Sequence, residues 1–177
     1  GGLGSARTLL GGPAPLPTPT VMTRNVIDER VFIGSARMSP VQRSIVNNLT
    51  GAGDTIIVGT NNPAARLPQD LAVSPVAPNV INTAGRRVGL NANQNAQVQA
   101  DAETLRQLGA TDIRINQQQI SNGCRVGICR PDLQATMSDG LQVHIEYDTS
   151  SSLRGPGHAT RLLANDPNAI VILRTLD

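Results

Sequence analysis

Three acidic side chains, Asp132, Glu146 and Asp148, lie at spacings that could hold a metal ion. Between them, Met137-Ser138-Asp139-Gly140 predicts a tight turn, because Asp-Gly between apolar alternations is a strong hairpin signal. A hairpin would bring Asp132 close to Glu146, and two converging carboxylates repel each other unless a cation lies between them. Oxygen ligands suit a hard divalent ion, so the pattern predicts a site for Mg²⁺ or Mn²⁺.

The strand that must carry Glu146 alternates between apolar and polar residues. One face holds Leu141, Val143, Ile145 and Tyr147, and the other holds Gln142, His144, Glu146 and Asp148. The preceding strand is predicted to end at Arg130-Pro131-Asp132, because proline cannot donate to the strand ladder. The bend at Pro131 would then direct Asp132 toward the neighbouring strand.

Basic groups that could assist the chemistry follow this strand, namely Arg154, His158 and Arg161. The chain contains no lysine, so all 15 of its Lys and Arg residues are arginines. Arginine can stabilise negative charge on a phosphate but is a poor proton carrier, whereas histidine can do either. We expect Asp148 or His158 to orient or deprotonate a water, and Arg154 or Arg161 to neutralise developing charge.

The order Pro131-Asp132, hairpin turn, Glu146 resembles the signature of the PD-(D/E)xK nucleases, the restriction-endonuclease-like superfamily. The segment 147–158 and Asn165-Asp166-Pro167 resemble nuclease domains at the C-terminal ends of secreted bacterial polymorphic toxins. The resemblance covers residues 92–177 and departs at Asp148, which stands where the superfamily has lysine.

The resemblance implies a metal-dependent endonuclease toxin that cleaves DNA in the cytoplasm of a competing bacterium. Asp132 and Glu146 would hold Mg²⁺ or Mn²⁺ in such an enzyme. It also implies a secreted or delivered effector, a cognate immunity protein in the producing cell, and a delivery or carrier protein that contacts residues 1–90. Superfamily members often carry an extra acidic group in the first helix, but Glu103 falls away from the apolar stripe and is expected at the surface.

From residue 91 the periodicity predicts helix, three strands, helix and strand, in an α+β or α/β fold. The predicted elements are a helix over 93–108, a strand over 111–120, the hairpin, a helix over 157–164 and a buried strand over 169–173. The last strand should pair in parallel through the crossover helix. This αβββαβ order is the core that the resemblance implies.

The first 90 residues read as a Gly/Pro-rich linker or docking extension with a short helix and strand. Residues 1–20 favour no regular element, and 21–38 give a weak mixed signal. Ser39-Pro40 predicts a helix start, 54–59 a short strand, and 61–87 mostly loop. We therefore divide the chain into a 1–90 extension and a 91–177 nuclease-like domain.

The composition bears on nucleic-acid binding. A net charge of +2 does not by itself indicate a nucleic-acid-binding protein. The chain has only two aromatic residues, Phe32 and Tyr147, too few for a surface that binds single strands by stacking. No run approaches the roughly 18 apolar residues of a membrane-spanning segment, and no signal-peptide pattern is visible. Cys124 and Cys129 are expected as reduced structural thiols whose side chains point to opposite faces of one strand.

Each candidate residue also has an ordinary structural interpretation. Asp132 could cap a turn, Glu146 could lie on a solvated strand face, and Asp148 could form a turn before Thr149. Arg154 and Arg161 could pair with the carboxylates in a structural ion network, and His158 could be a helix cap or a surface residue. Arg125 and Arg130 could contact phosphates or keep an edge strand soluble.

Three other functions stay open on the sequence. A metal-independent RNase could use His144 or His158 with an arginine. An ADP-ribosyltransferase is a second possibility, although no convincing Glu-x-Glu pair supports it. The third is a non-enzymatic binding module.

Overall fold

The protein, as a computed structural model, is described over residues 23–34, 38–59, 72–77, 86–89, 91–152 and 154–176. Its helices are α1 (Pro40–Leu49), α2 (Ala92–Gln107) and α3 (Gly155–Asn165). Its strands are β1 (Thr23–Ile27), β2 (Arg30–Gly34), β3 (Thr55–Val58), β4 (Ala72–Pro75), β5 (Asp112–Ile115), β6 (Ile120–Ser121), β7 (Cys124–Val126), β8 (Leu133–Thr136), β9 (Gln142–Asp148) and β10 (Ile170–Thr175).

The fold is α+β, with a seven-stranded mixed sheet in the order β1-β2-β3-β10-β9-β8-β5. A smaller sheet has the order β4-β7-β6. The predicted order of helix, three strands, helix and strand is present from α2 onward, with β6 and β7 inserted between β5 and β8. The expected parallel pairing of the last strand is confirmed, because β10 pairs in parallel with β9 through the crossover helix α3.

The central hairpin is confirmed, but its first strand was placed wrongly. β8 pairs antiparallel with β9 and turns at 137–140, where Gly140 has a φ of 89°. However, β8 begins after Pro131-Asp132 instead of ending there, and β7 belongs to the smaller sheet. Proline is tolerated just before a strand, where its missing N–H costs no ladder bond.

Two further predictions, the length of the strand over 111–120 and the placement of both cysteines on one strand, are wrong. The strand expected over 111–120 stops at Ile115, because Asn116 turns the chain with a φ of 51°. Cys124 lies in β7 while Cys129 lies beyond that strand's end, so the two thiols do not share one strand; both are free and partly exposed.

Residues 23–58 form more regular structure than the sequence indicated. The weak signal before residue 38 is an antiparallel hairpin of β1 and β2, whereas α1 and β3 lie where they were expected. Ser39 caps α1 in a capping box with Gln42. Residues 1–20 and most of 61–87 lie outside the described residues, although β4 falls within the stretch predicted as loop.

The hydrophobic core crosses residue 90. Helices α1 and α2 pack on one face of the sheet around fully buried side chains such as Leu49, Ile56, Leu105 and Ile145. Helix α3 covers the other face through Ala159 and Leu162. The described part of residues 1–90 is therefore integral to this core, and the functional division of the chain at residue 90 stays a prediction.

Within the described residues, no helix combines the length and the hydropathy that crossing a membrane requires.

Candidate functional site

The hairpin of β8 and β9 places Asp132 opposite Glu146. Leu133 pairs with Ile145 in the antiparallel register, so Asp132 and Glu146 are the next pair along the two strands. The two carboxyl groups are close enough for each to shift the pKa of the other: Asp132 raises that of Glu146, and Glu146 lowers that of Asp132. The Tyr147 N–H donates to Asp132 Oδ2 at 2.9 Å. The two acids predicted to converge are therefore neighbours.

Burial controls the protonation of this pair. Burial and, to a smaller extent, the neighbouring Asp132 carboxylate together raise the pKa of Glu146 to about 9. Burial also raises the pKa of Asp132, although its hydrogen bonds from Tyr147 and Glu146 oppose that shift. Near neutral pH Glu146 is therefore protonated. It carries a proton beside Asp132, where a divalent cation would satisfy both groups.

Asp148 adds negative charge to the same end of the sheet, since its carboxylate raises the pKa values of both Asp132 and Glu146. Its Oδ1 accepts a hydrogen bond from the Thr149 N–H at 3.0 Å. Gly155, the first residue of α3, lies beside this side chain, since a Cβ there would be in ordinary contact with Asp148 Oδ2 at 3.4 Å. Both the third acid and the turn contact that the sequence suggested are present.

His158 connects α3 to the carboxyl pair. Its Nδ1 lies 3.5 Å from Glu146 Oε1, and its side chain is 44% exposed. Its backbone N–H donates to the Arg154 carbonyl at 3.2 Å within the first turn of the helix. The imidazole is thus placed between the buried acids and solvent, where it could exchange protons with either.

A cleft of about 330 Å³ opens over Glu146. One wall is the segment before β8, with Ile128, Cys129 and Arg130, and the other is α3, with His158, Arg161 and Leu162. Asp132 does not line this cleft, although its side chain is partly exposed. Glu146 is therefore the member of the pair that lines the cleft.

The two arginines predicted beside the acids differ in position. Arg161 lines the cleft, while Arg154 is exposed at the start of α3 and does not line it. Neither forms an ion pair with a carboxylate anywhere in the described part of the chain, so the structural ion network considered from the sequence is not observed. Arg161 is the arginine whose charge is available to a ligand.

The face of β9 that carries Glu146 is buried, which rules out a solvated strand face. His144 is completely buried, and burial lowers its pKa to about 3, so it stays neutral and out of reach of a substrate. Its Nε2 lies 3.3 Å from Gln119 Nε2, and Asn165 donates to Gln119 Oε1 at 2.8 Å. Sequence reasoning missed this polar layer because residues 116–120 and 125–130 were predicted as strand and not as the cover of the sheet.

The acidic residue of α2 that the fold buries is Asp101, not Glu103. Glu103 is exposed, as its position away from the apolar stripe predicted, and it pairs with Arg106. Asp101 accepts a hydrogen bond from the Tyr147 hydroxyl at 2.6 Å and two from Arg174, at 2.8 and 2.9 Å. Tyr147 points to the opposite face of β9 from Glu146, so this network ties α2 to the sheet and lies outside the cleft.

The donor set of the site fits Mg²⁺ or Mn²⁺ better than a structural zinc ion. Across the described ranges, no group of three or more His, Cys, Asp and Glu side chains is arranged to hold a metal. Mg²⁺ commonly uses one or two carboxylates and completes its shell with water and substrate phosphate. Asp132 and Glu146 are the two carboxylates that such a site would use.

Comparison of the chain with protein-family models, curated proteins and solved structures found no match in any of the three.

Proposed function

We propose that this protein is a metal-dependent nuclease that cleaves phosphodiester bonds, of DNA in the first instance. The observation that carries the proposal is the proximity of Asp132 to the buried Glu146, which lines a cleft that also presents His158 and Arg161. Two carboxyl groups forced together, beside one histidine and an unpaired arginine, are what phosphate chemistry with a divalent ion requires.

Asp132 and Glu146 would hold the Mg²⁺ or Mn²⁺ ion, which when bound polarises the phosphate and lowers the pKa of a bound water. His158, or Asp148 beside it, would accept the proton from the attacking water. Arg161 would stabilise the charge that develops on the phosphate oxygens, a role for which Arg154 is less well placed. Asp148 stands where the superfamily has lysine, so His158 is the best-placed group to take over the role of that lysine.

The strand arrangement supports the resemblance to a restriction-endonuclease-like core. Strands β5, β8, β9 and β10 are neighbours in that order, with α2 before them and α3 in the crossover. This is the αβββαβ order that the sequence resemblance implies. Delivery into a competing cell, a cognate immunity protein and a carrier contact through residues 1–90 follow from the resemblance alone and are part of the same proposal.

The test is cleavage of supercoiled plasmid by purified protein with Mg²⁺ or Mn²⁺. We expect nicking that chelation abolishes and that Asp132→Asn and Glu146→Gln each reduce by at least about 100-fold, more than loss of a secondary metal contact costs. Asp28→Asn and Glu103→Gln are matched controls at exposed acids and should cleave as wild type. Absence of cleavage by folded wild-type protein with either ion would overturn the proposal.

The same assay separates the alternative functions. Activity that survives chelation but is lost in His158→Ala would indicate metal-independent chemistry, with RNA tested beside DNA as substrate. His144 is no candidate for that base, since it is completely buried. Consumption of NAD would identify an ADP-ribosyltransferase, and binding of nucleic acid without cleavage would identify a binding module.

A further inference from the structure

Ile128 is the most exposed large apolar side chain of the described residues, at 91%, and it lines the candidate cleft. The backbone on both sides of it is held in place. The Gly127 carbonyl accepts a hydrogen bond from the Gln118 side chain, and the Cys129 carbonyl accepts one from the Gln119 N–H at 2.8 Å. Ile128 therefore projects outward from a fixed turn instead of packing into the protein.

Gly127 explains why the turn takes this shape. Its φ of +58° suits glycine, and a Cβ there would lie 2.4 Å from the Asn165 side chain at the end of α3. The close contact fixes the segment that carries Ile128 against the helix that carries His158. The two walls of the cleft are thus held at a set separation.

Two arginines from different elements stand beside Ile128 at the cleft. Arg130 is exposed, and its Nη2 donates to the Asn116 carbonyl at 2.6 Å, which holds the guanidinium while leaving other N–H groups to bind a ligand. Arg161 lies on the opposite wall. Neither makes an ion pair with a described carboxylate, so both charges are available to phosphate oxygens.

The size of the cleft determines what must lie against these residues. A volume of about 330 Å³ is near the lower limit of small-molecule sites. It could admit a phosphate with part of its nucleotide but not a double helix. The rest of a polymeric substrate would lie across the mouth, against the exposed side chains of both walls.

We propose that Ile128, Arg130 and Arg161, here called the substrate rim, bind double-stranded nucleic acid across the mouth of the cleft. The inference rests on the proposed nuclease function. The arginines bind phosphates on either side of the scissile bond, and Ile128 contacts a base step, as apolar side chains do where they wedge into a duplex. A single strand is the poorer fit, because binding it relies on aromatic stacking and the chain has only Phe32 and Tyr147.

The experiment compares a duplex with bis(p-nitrophenyl) phosphate, a small phosphodiester that cannot extend across the mouth of the cleft, using the full chain. Ile128→Ala should lower kcat/KM on duplex by about tenfold, as expected for loss of one buried apolar side chain. Hydrolysis of the small phosphodiester should fall by a smaller factor, because Ile128 lines the cleft as well as its mouth. Ile27→Ala, at an exposed isoleucine on β1, is the matched control and should alter neither. Arg130→Gln should reduce the salt dependence of duplex binding by about one phosphate contact.

The possible outcomes distinguish failure of the substrate rim from failure of the nuclease function. If wild type cleaves neither substrate, the nuclease function fails and the rim with it. If wild type cleaves both and Ile128→Ala and Arg130→Gln match it on duplex, the rim alone is wrong. An equal loss of Ile128→Ala on both substrates also overturns the rim, and thermal unfolding tells whether that loss comes from the fold. A clear preference of wild type for single strands would overturn the assignment to duplex.

Discussion

The raised pKa of Glu146 makes the fold less stable at alkaline pH. Burial raises the pKa of Glu146 from the usual 4.5 to about 9 in the folded protein, so above pH 4.5 the folded state binds a proton that the unfolded state has lost. Stability therefore falls as pH rises through this window and stops falling above the folded-state pKa. Such a site gives up stability that a bound cation would restore.

Glu146→Gln should remove this dependence, because the amide keeps the size of the side chain without the ionisation. Between about pH 7 and about pH 9, wild type without divalent ions should lose up to about 1.4 kcal/mol of unfolding free energy per pH unit from this group. The Gln variant should be flat and more stable at the upper end. Urea unfolding in chelator measures both, and Glu103→Gln is the control, since Glu103 is exposed.

His144 does not contribute to the pH dependence of stability between about pH 7 and about pH 9. Burial lowers the pKa of His144 to about 3, so its destabilising effect appears only below its unfolded value of 6.5, where the unfolded chain gains a proton. An equal alkaline slope in wild type and Glu146→Gln would show that the carboxyl pair does not hold the proton assigned to it.

At the scale of elements, the site depends on how closely β3 approaches the chain between α3 and β10. Gly59 donates to the Ala169 carbonyl at 3.0 Å, and a Cβ at Gly59 would lie 2.4 Å from the Pro167 carbonyl oxygen. This contact fixes the end of the helix that carries His158. The geometry of the cleft thus relies on a glycine far from it in sequence.

Gly59→Ala should destabilise the protein by about 1–3 kcal/mol, the usual cost of overpacking, because backbone atoms must move to admit the methyl group. Gly51→Ala is the matched control, since a Cβ there meets no described atom within 4 Å and neither glycine has a positive φ. Denaturant unfolding of the two variants provides the comparison. Equal stabilities would show that β3 and the 167–169 segment are not in contact.

The element predictions succeeded where local signals are strong. The capping box at Ser39, the apolar stripe of α2 and the Asp139-Gly140 turn each specify their element within a few residues. The hairpin of β1 and β2 was missed because its residues show no clear period. The strand over 111–120 was predicted too long because Asn116, with a positive φ, turns the chain without glycine or proline.

At the scale of the whole molecule, one core joins both halves of the described chain. β3 pairs with β10 in the middle of the sheet, and Ile45 and Ile56 share a cluster with Leu105 and Ile145. Arg174 of β10 also pairs with Asp54, which precedes β3. Removing the first 90 residues would expose a central strand and one side of this core.

A fragment of residues 91–177 should therefore fail to form a stable native structure, although it contains the whole predicted nuclease-like domain. A fragment of residues 23–177, which keeps every described strand, is the comparison. Cooperative thermal unfolding by circular dichroism distinguishes the two. A sharp transition in the shorter fragment would show that residues 23–58 are an accessory layer.

The sequence by itself determined the local features, namely the helices, the hairpin and the two acids that the hairpin would bring together. These follow from periodicity, capping and turn chemistry, which act over a few neighbouring residues. Only the tertiary structure decided that the polar face of β9 is buried, that His144 is out of reach and that Ile128 and Arg130 form one wall of the cleft. Those properties depend on which distant segment covers the sheet, and a strand's alternation specifies two faces without specifying what packs on each.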